Sequence, residues 1–356
     1  MKFTIAKNII ENIISAMQPF LNKKDSSAIT SHIYMEVLNT NLIVKSTDYE
    51  MGCKANVTDI TNIIDGKSTV NGNNLLNIIR RLKDEDIIFE VLDNNLNIKQ
   101  KKSNFKLPMY NPNEYPDFIK QDNLKSLNIN TINLINSIKK ITPSIDNNNP
   151  KFELNGALVD IKSNKISFVA TDTRRLAIAN LENISNKESQ LIIPKKAIIE
   201  IQKLFLDEAI ISYDDTYLVL SNKNYTFFTK LINGKFPDYE RIIPKSLKYT
   251  FKLSKALLIE AIKVVTSIES KIKITFNQDN IIFESLDDDS ESKTQIDVQI
   301  NIDSSFYIAF NSKYILDFLS STINENINIG FNESNLPFYL EDNNLVTIIM
   351  PIVLDK

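Results

Sequence analysis

Residues 164–177 read NKISFVATDTRRLA. Ile166, Phe168 and Ala170 alternate with Ser167 and Val169, the period of two that a strand imposes on its faces. The strand runs into a turn at Thr171-Asp172-Thr173, with Arg174, Arg175, Leu176 and Ala177 directly behind it. The same strand-into-aspartate pattern occurs in NLIVKSTDYE at 41–50 and in NIIFESLDD at 280–288. Asp48, Asp172 and Asp287 are therefore spaced by roughly a third of the chain, a domain-sized unit and far too long for a solenoid repeat.

Working outward, apolar residues at helical spacing predict helices over 7–17, 73–82, 131–141, 195–206, 255–268 and 312–320. In the first of these the apolar positions are Ile9, Ile10, Ile13, Ile14 and Met17, and Pro19 stops it. Strands fill the intervals. The first third has them at 3–5, 32–38, 41–46, 49–57, 68–70, 87–92, 96–100 and 105–107. The second third has them at 126–129, 152–161, 165–170, 190–193, 210–213, 217–221 and 225–232. The last third has them at 250–253, 272–276, 281–285, 294–300, 306–310, 327–331, 338–341 and 345–350. Pro108, Pro112 and Pro116 mark one link, and GKFPDYERIIP at 234–244 marks another. Each third thus runs strand, helix, strands, twice over. That is an α+β plan with two helices per domain covered by antiparallel sheets, and no βαβ rhythm. The expected domains are 1–120, 121–247 and 248–356.

Composition narrows the function by exclusion. The formal net charge of −3 gives no global pull toward nucleic acid. One cysteine, Cys53, leaves no disulfide framework and no multi-cysteine zinc site, and reads as a small buried hydrophobe. His32, on an alternating strand, has no histidine or cysteine partner nearby. Glycines at 52, 66, 72, 156, 234 and 330 are scattered, so no phosphate-cradling loop exists. An aspartate behind an apolar strand usually bonds its own backbone in a turn, which is the expected role of the three repeated aspartates. A hydrolase using them would need a nucleophile–base pair or a metal cluster, and neither accompanies them. No cofactor or metal is expected. The N-terminal segment lacks the pattern of a signal peptide, and Lys7, Asn8, Glu11 and Asn12 break its apolar run, so a cytoplasmic protein is expected.

Charge is segregated locally. Lys7, Arg80, Arg81, Lys83, Lys139, Lys140, Lys195, Lys196, Lys203, Lys255, Lys263 and Lys313 recur on or beside the six helices, while acids are common in the hairpins. Taken singly, each is a solvated helix face. Taken together, they let an acidic protein present a positive surface to a phosphate backbone. With no base-reading motif, such binding is independent of sequence.

Three tandem domains of this plan resemble the bacterial sliding clamps, the beta subunits of replicative DNA polymerase III. The resemblance covers the full length. It is carried by TDTRRLA (171–177), KFPDYERIIP (235–244), FNSKYILDFL (310–319), IIMPIVL (348–354) and the opening MKFTIAK. It implies three clamp domains per chain and a head-to-tail homodimeric ring around duplex DNA, helices inside and sheets outside. It also implies a non-catalytic processivity factor that tethers the polymerase alpha subunit, meets a clamp loader and docks short peptides with a Gln and a Leu-Phe type end.

By position in that family, Lys24, Asn73, Asn148, Phe152 and Glu153 fall where clamps touch DNA, beside the helix residues Arg80, Arg81, Lys195 and Lys196. Peptide docking maps to Leu154, Thr171, Thr173, Arg174, Arg175, Leu176, Pro237, Arg241, Ile242, Ile348 and Met350, with Arg175 and Arg241 expected at the rim. The dimer interface sets Phe105 and Leu107 against the end of the 255–268 helix, at Val265 and Ile268. The chain departs from the common pattern in having Thr173-Arg174 where Gly-His is more usual, and Ile352-Val353-Leu354-Asp355-Lys356 at its end. An arginine there stays charged at every relevant pH, as a histidine would not.

Overall fold

The structure, a computed structural model, describes residues 1–119, 123–183, 188–267, 269–286 and 291–354. It divides into two compact units, Met1–Ile132 with Lys196–Leu231, and Asn133–Lys195 with Ile232–Lys356.

The first unit holds two antiparallel sheets. One has five strands in the order Thr61–Ile64, Lys2–Ala6, Asp86–Leu92, Asn95–Gln100, Ser103–Pro108. The other has eight, in the order Lys125–Ser126, Ile210–Tyr213, Tyr217–Ser221, Tyr225–Lys230, Met51–Val57, Asn41–Thr47, His32–Leu38, Gly66–Asn71. Helices α1 (Lys7–Met17) and α2 (Gly72–Arg81) pack together. Their buried stripes are Ile10, Ile13, Ile14 and Met17 on one, and Leu75, Leu76 and Ile79 on the other. The Asn71 side chain caps α2 by accepting from the Asn74 N–H.

The second unit repeats the plan. Its eight-stranded sheet runs Ser189–Pro194, Gly156–Ile161, Lys165–Thr171, Arg175–Glu182, Leu345–Ile349, Phe338–Asp342, Asn326–Phe331, Tyr249–Ser254. Its four-stranded sheet runs Lys293–Asp297, Asn280–Ser285, Lys271–Phe276, Phe306–Asn311. Helix α3 (Thr131–Ile141) begins in the first unit and runs into the second, α4 (Lys195–Leu204) begins in the second and runs into the first, and α5 (Lys255–Val265) and α6 (Ser312–Ser321) belong to the second. Stacked phenylalanines fill the core under the third-domain strands, with Phe306 and Phe331 at 4.1 Å between ring centroids.

Each eight-stranded sheet joins strands from two of the expected domains. Met51–Val57 pairs with Tyr225–Lys230, setting Cys53 against Phe227, and Arg175–Glu182 pairs with Leu345–Ile349, setting Leu176 against Ile348. Periodicity in one segment carries no information about which distant edge it meets, so these seams are invisible to a local reading.

The repeated turn is reproduced bond for bond. Thr47 Oγ donates to Met51 O and accepts from the Tyr49 N–H, while Asp48 Oδ1 accepts from the Glu50 and Met51 N–H groups. In the second copy Thr171 Oγ donates to Arg175 O and accepts from the Thr173 N–H, while Asp172 Oδ1 accepts from the Arg174 and Arg175 N–H groups. The third residue has a left-handed backbone in both, Tyr49 at φ 70° and Thr173 at φ 72°. That conformation is uncommon for a β-branched residue and costs about 1–3 kcal/mol at Thr173. The turn holds it because four hydrogen bonds fix the loop around it. Asp287, the third aspartate of the repeat, lies outside the described residues.

Several expected bounds shift. The strand expected at 152–161 begins only at Gly156, and Phe152–Asn155 is a 3-10 turn. Reciprocal bonds between Asn149 and Asn155 close that loop. The helix expected over 255–268 ends at Val265, and Ile268 lies outside the described residues. The strand expected at 126–129 is only Lys125–Ser126. Arg175–Glu182 and Thr61–Ile64 are strands beyond those expected from the sequence. Cys53 is fully buried, and burial pushes its thiol pKa up. His32 is also buried, stacked on Tyr110 at 4.2 Å, with its pKa lowered to about 4 by desolvation.

Candidate functional site

In the second unit, Lys165–Thr171 and Arg175–Glu182 form a hairpin around the Asp172 turn. Beneath it is a core of Leu154, Leu158, Val169, Leu176, Ile178, Ile192, Ile232, Phe236, Tyr239 and Ile348. The segment 235–244 is fastened over this core by Tyr239, whose hydroxyl donates to Asp160 Oδ2 at 2.8 Å. Asp160 also accepts from Gln190 Nε2 at 3.0 Å. Desolvation raises the Tyr239 pKa, with the bond to Asp160 adding to it, so the phenol stays a donor.

On this base sits a cavity of about 600 Å³. Of the residues expected at a docking site, Thr171, Thr173, Arg175, Leu176, Arg241, Ile242, Ile348 and Met350 line it. Leu154 supports it from the core, at 2% exposure. Pro237 is half-buried in the fastened segment, and Arg174 faces a neighbouring cavity that shares Met350. Ile243, Pro244, Lys245, Asn332, Leu336 and Pro337 also line the main cavity and were not singled out from the sequence. Ile243 and Pro244 belong to the quoted KFPDYERIIP motif and could have been included. Asn332, Leu336 and Pro337 lie in an irregular loop with no periodicity to mark them.

The two arginines expected at the rim part company. Arg241 is a rim residue, its side chain 85% exposed and its Nε 2.7 Å from Asp238 Oδ2. Arg175 is not. Its side chain is 3% exposed; Nε meets Asp172 Oδ2 at 3.1 Å and Nη1 meets Asp317 Oδ2 at 2.7 Å. Nη2 donates to the Pro143 carbonyl, and the guanidinium lies 4.6 Å over the Tyr314 ring. Arg174 is still in the exposed turn, whereas Arg175 is the first residue of a strand whose leading residues are buried on both faces. Arg175 thus braces the cavity wall rather than reaching for a ligand. The Asp172 carboxylate accepts from the turn N–H groups with one oxygen and from Arg175 Nε with the other, the backbone-bonding turn role expected of it. Among the described residues, no group of three His, Cys, Asp or Glu side chains could hold a metal.

The residues expected to face DNA can be placed within each unit. In the first, Lys24, Asn73, Arg80 and Arg81 are exposed, and Arg80 Nε makes a long 3.9 Å contact with Glu11. Lys196 is exposed but paired with Asp48 at 2.9 Å. In the second, Asn148 is exposed and Phe152 is 67% exposed, while Glu153 is half-buried. Lys195 is tied down, its Nζ donating to Ile145 O and Asn147 Oδ1 at 2.7 Å each, and burial lowers its pKa.

Of the residues expected at the dimer interface, Phe105 and Leu107 lie half-buried on Ser103–Pro108, an edge strand of the five-stranded sheet. Val265 is a correction: it is 0% exposed, on the core stripe with Leu258, Ala261 and Ile262. One residue along a helix is a rotation of about 100°. The outward apolar residues of α5 are therefore Leu257 and Val264, at 44% and 49% exposure. Among the described residues, no helix is long and apolar enough to cross a membrane.

Comparison with known proteins accords with this geometry. Family models for the DNA polymerase III beta subunit match along the chain: the N-terminal domain at residues 1–119, the central domain at 128–238 and the C-terminal domain at 240–353. A curated beta sliding clamp from Helicobacter pylori is 37% identical over 374 residues, covering 99% of this chain and 100% of that protein. One from Buchnera aphidicola is 29% identical over 362 residues, covering 97% of this chain and 96% of that protein. The crystal structure of the H. pylori beta clamp bound to a DNA ligase peptide superposes with a TM-score of 0.94 at 37% identity, covering 99% of this chain and 100% of that one. The chain belongs to the DNA polymerase III beta subunit family, the beta sliding clamps.

Proposed function

We infer that the chain is a DNA sliding clamp. It closes with a second copy into a head-to-tail ring around duplex DNA and tethers the replicative polymerase, through its alpha subunit, and other replication and repair proteins. It needs no cofactor and does no chemistry itself. We take 1–120, 121–247 and 248–356 as its three clamp domains. A replication clamp works on the chromosome, which places it in the bacterial cytoplasm. The clamp loader is the partner that opens the ring.

The observation that carries this reading is the apolar cavity of about 600 Å³ assembled from the Asp172 hairpin, the 235–244 segment and the last strand. It suits a short peptide with apolar anchors, as does the H. pylori clamp, which is bound to a DNA ligase peptide. Tethering raises effective concentration at the primer end, so weak individual contacts suffice. DNA contact then falls to exposed cations such as Lys24, Arg80 and Arg81, without preference for sequence. Lys196 brings less free charge because Asp48 already pairs with it. The test is retention on nicked circular DNA after loading. The protein should stay on the circle through a salt wash and slide off on linearisation. Equal retention on circle and linear DNA would mean ordinary binding and no topological link.

The dimer contact should use the Ser103–Pro108 edge, whose unpaired backbone groups can take a strand from the partner. Leu257 and Val264 give the third domain an exposed apolar face to bury. Phe105→Ala with Leu107→Ala is expected to give monomers at low micromolar concentration by light scattering. An unchanged dimer mass would move the interface elsewhere.

A further inference from the structure

Three of the six glycines follow an asparagine, at Asn71-Gly72, Asn155-Gly156 and Asn233-Gly234. An asparagine before glycine can react with its own chain. The glycine nitrogen attacks the side-chain amide carbon, and a residue with no Cβ neither shields that nitrogen nor restricts its approach. The fold decides which of the three steps is free to do so.

Two are locked. Asn71 caps α2 by accepting from the Asn74 N–H at 3.1 Å, and Gly72 is buried, with Leu21 and Ile33 where a side chain would stand. Asn155 accepts from the Asn149 N–H at 2.7 Å and donates to Asn149 O at 3.0 Å, and Gly156 is buried in the sheet opposite Pro194. Asn233 and Gly234 are both exposed and lie outside any helix or strand. Among the described residues, neither the Asn233 side chain nor the Gly234 N–H is in a hydrogen bond. The space beside Gly234 is open, with Glu153 Cβ the nearest atom at 3.7 Å from the point a Cβ would take. What lies on either side is fixed. The Ile232 N–H donates to Ile192 O at 2.8 Å, and Ile232 and Phe236 are both buried in the core beneath the larger cavity.

We infer that Asn233 is a site of spontaneous covalent modification, and that its conversion loosens the larger cavity. The Gly234 nitrogen gives up its proton and bonds to Asn233 Cγ. The Cγ–Nδ2 bond breaks, and the side-chain nitrogen leaves with that proton as ammonia, closing a cyclic imide. Water opens the imide at either carbonyl, leaving aspartate or isoaspartate, so the conversion consumes only water. Isoaspartate routes the backbone through Cβ and lengthens it by one carbon–carbon bond, about 1.5 Å. Between anchors as close as Ile232 and Phe236, that length moves the 235–244 segment, which carries Arg241 and Ile242 to the cavity. The modification needs only solvent; its effect on binding rests on the docking role of that cavity.

The full-length protein is held at physiological temperature and mildly alkaline pH, digested, and followed by mass spectrometry with fragmentation that separates isoaspartate from aspartate. Asn233 should convert about tenfold faster or more than Asn71 and Asn155, whose steps must first open locally. The rate should rise with pH, because the attacking nitrogen must lose its proton. Similar rates at the three asparagines, or no conversion at Asn233, overturn the inference. Calorimetry with an apolar-ended peptide reads the effect on the cavity. Affinity should fall severalfold as isoaspartate accumulates, while Asn233→Ala aged alongside keeps its affinity. Fresh Asn233→Asp, with the charge but not the longer backbone, should bind close to the unmodified protein. An isoaspartate-rich sample that binds as tightly as fresh protein overturns the effect on the cavity. If fresh protein binds no peptide, the docking reading itself fails, and the conversion rates still decide the modification.

Discussion

Met350→Ala is expected to weaken client-peptide binding by about 2 kcal/mol, or roughly thirtyfold, without unfolding the protein. Met350 lines both cavities and is 38% exposed, so it has apolar surface left to bury when a peptide arrives. Its thioether stem is flexible enough to close around anchors of different shape. Its contribution to the fold is through the backbone, where its N–H donates to Arg174 O, and alanine keeps that bond. Deleting 348–356 is a poorer experiment. It would remove Ile348 and Ile349, which are 1% and 0% exposed and pair with Leu176 and Arg175. Calorimetry with an apolar-ended peptide, alongside a thermal melt, checks the point variant. Unchanged affinity would place docking away from this cavity.

The turn that nucleated the sequence reading was legible because its chemistry is local. Asp48 and Asp172 bond N–H groups two and three residues ahead, and any strand ending in Thr-Asp advertises that geometry. The helices were legible for the same reason: Lys7–Met17 and Thr131–Ile141 follow from apolar spacing alone. What was not legible depends on partners far along the chain. The return strand Arg175–Glu182 buries its first five residues on both faces, because it is an interior strand between Lys165–Thr171 and Leu345–Ile349. Burial on both faces erases the alternation that marks a half-buried strand. Val265 was misplaced by a single helical position, since a largely apolar helix does not reveal from sequence which stripe faces inward. Eight of the residues expected at a docking site line one cavity, and most of them lie in the motifs that carry the family resemblance. Leu336 and Pro337, in a loop without a motif, were not among those expected.

Arg175 is where local and distant information conflict most, and it carries the other large expected effect. Next to Arg174 in sequence, it reads as one of two solvent-facing cations. The fold buries it to 3% exposure and gives it Asp172, Asp317, the Pro143 carbonyl and the Tyr314 ring. Removing one member of a buried ion network costs about 3–5 kcal/mol, because the remaining charges lose their compensation. Here the lower end applies. Asp172 and Asp317 are 21% and 24% exposed, Asp172 keeps two backbone N–H groups, and Asp317 keeps Lys313 at 3.2 Å. Arg175→Ala is therefore expected to destabilise the second unit by about 3 kcal/mol. For a unit of this size that is a fall of about 6–12 °C in its melting transition. Arg175→Lys should recover little, since one ammonium cannot reach two carboxylates, a carbonyl and an aromatic face at once. Peptide affinity should fall as well, through loss of the wall beneath Leu176, but the melting transition separates this role from that of a rim donor. A rim arginine such as Arg241, 85% exposed, should lower affinity when changed to alanine and leave the melt where it was. A wild-type melt for Arg175→Ala would mean that the buried network contributes nothing to the fold, and would return Arg175 to the ligand-binding role its neighbourhood in the sequence suggests.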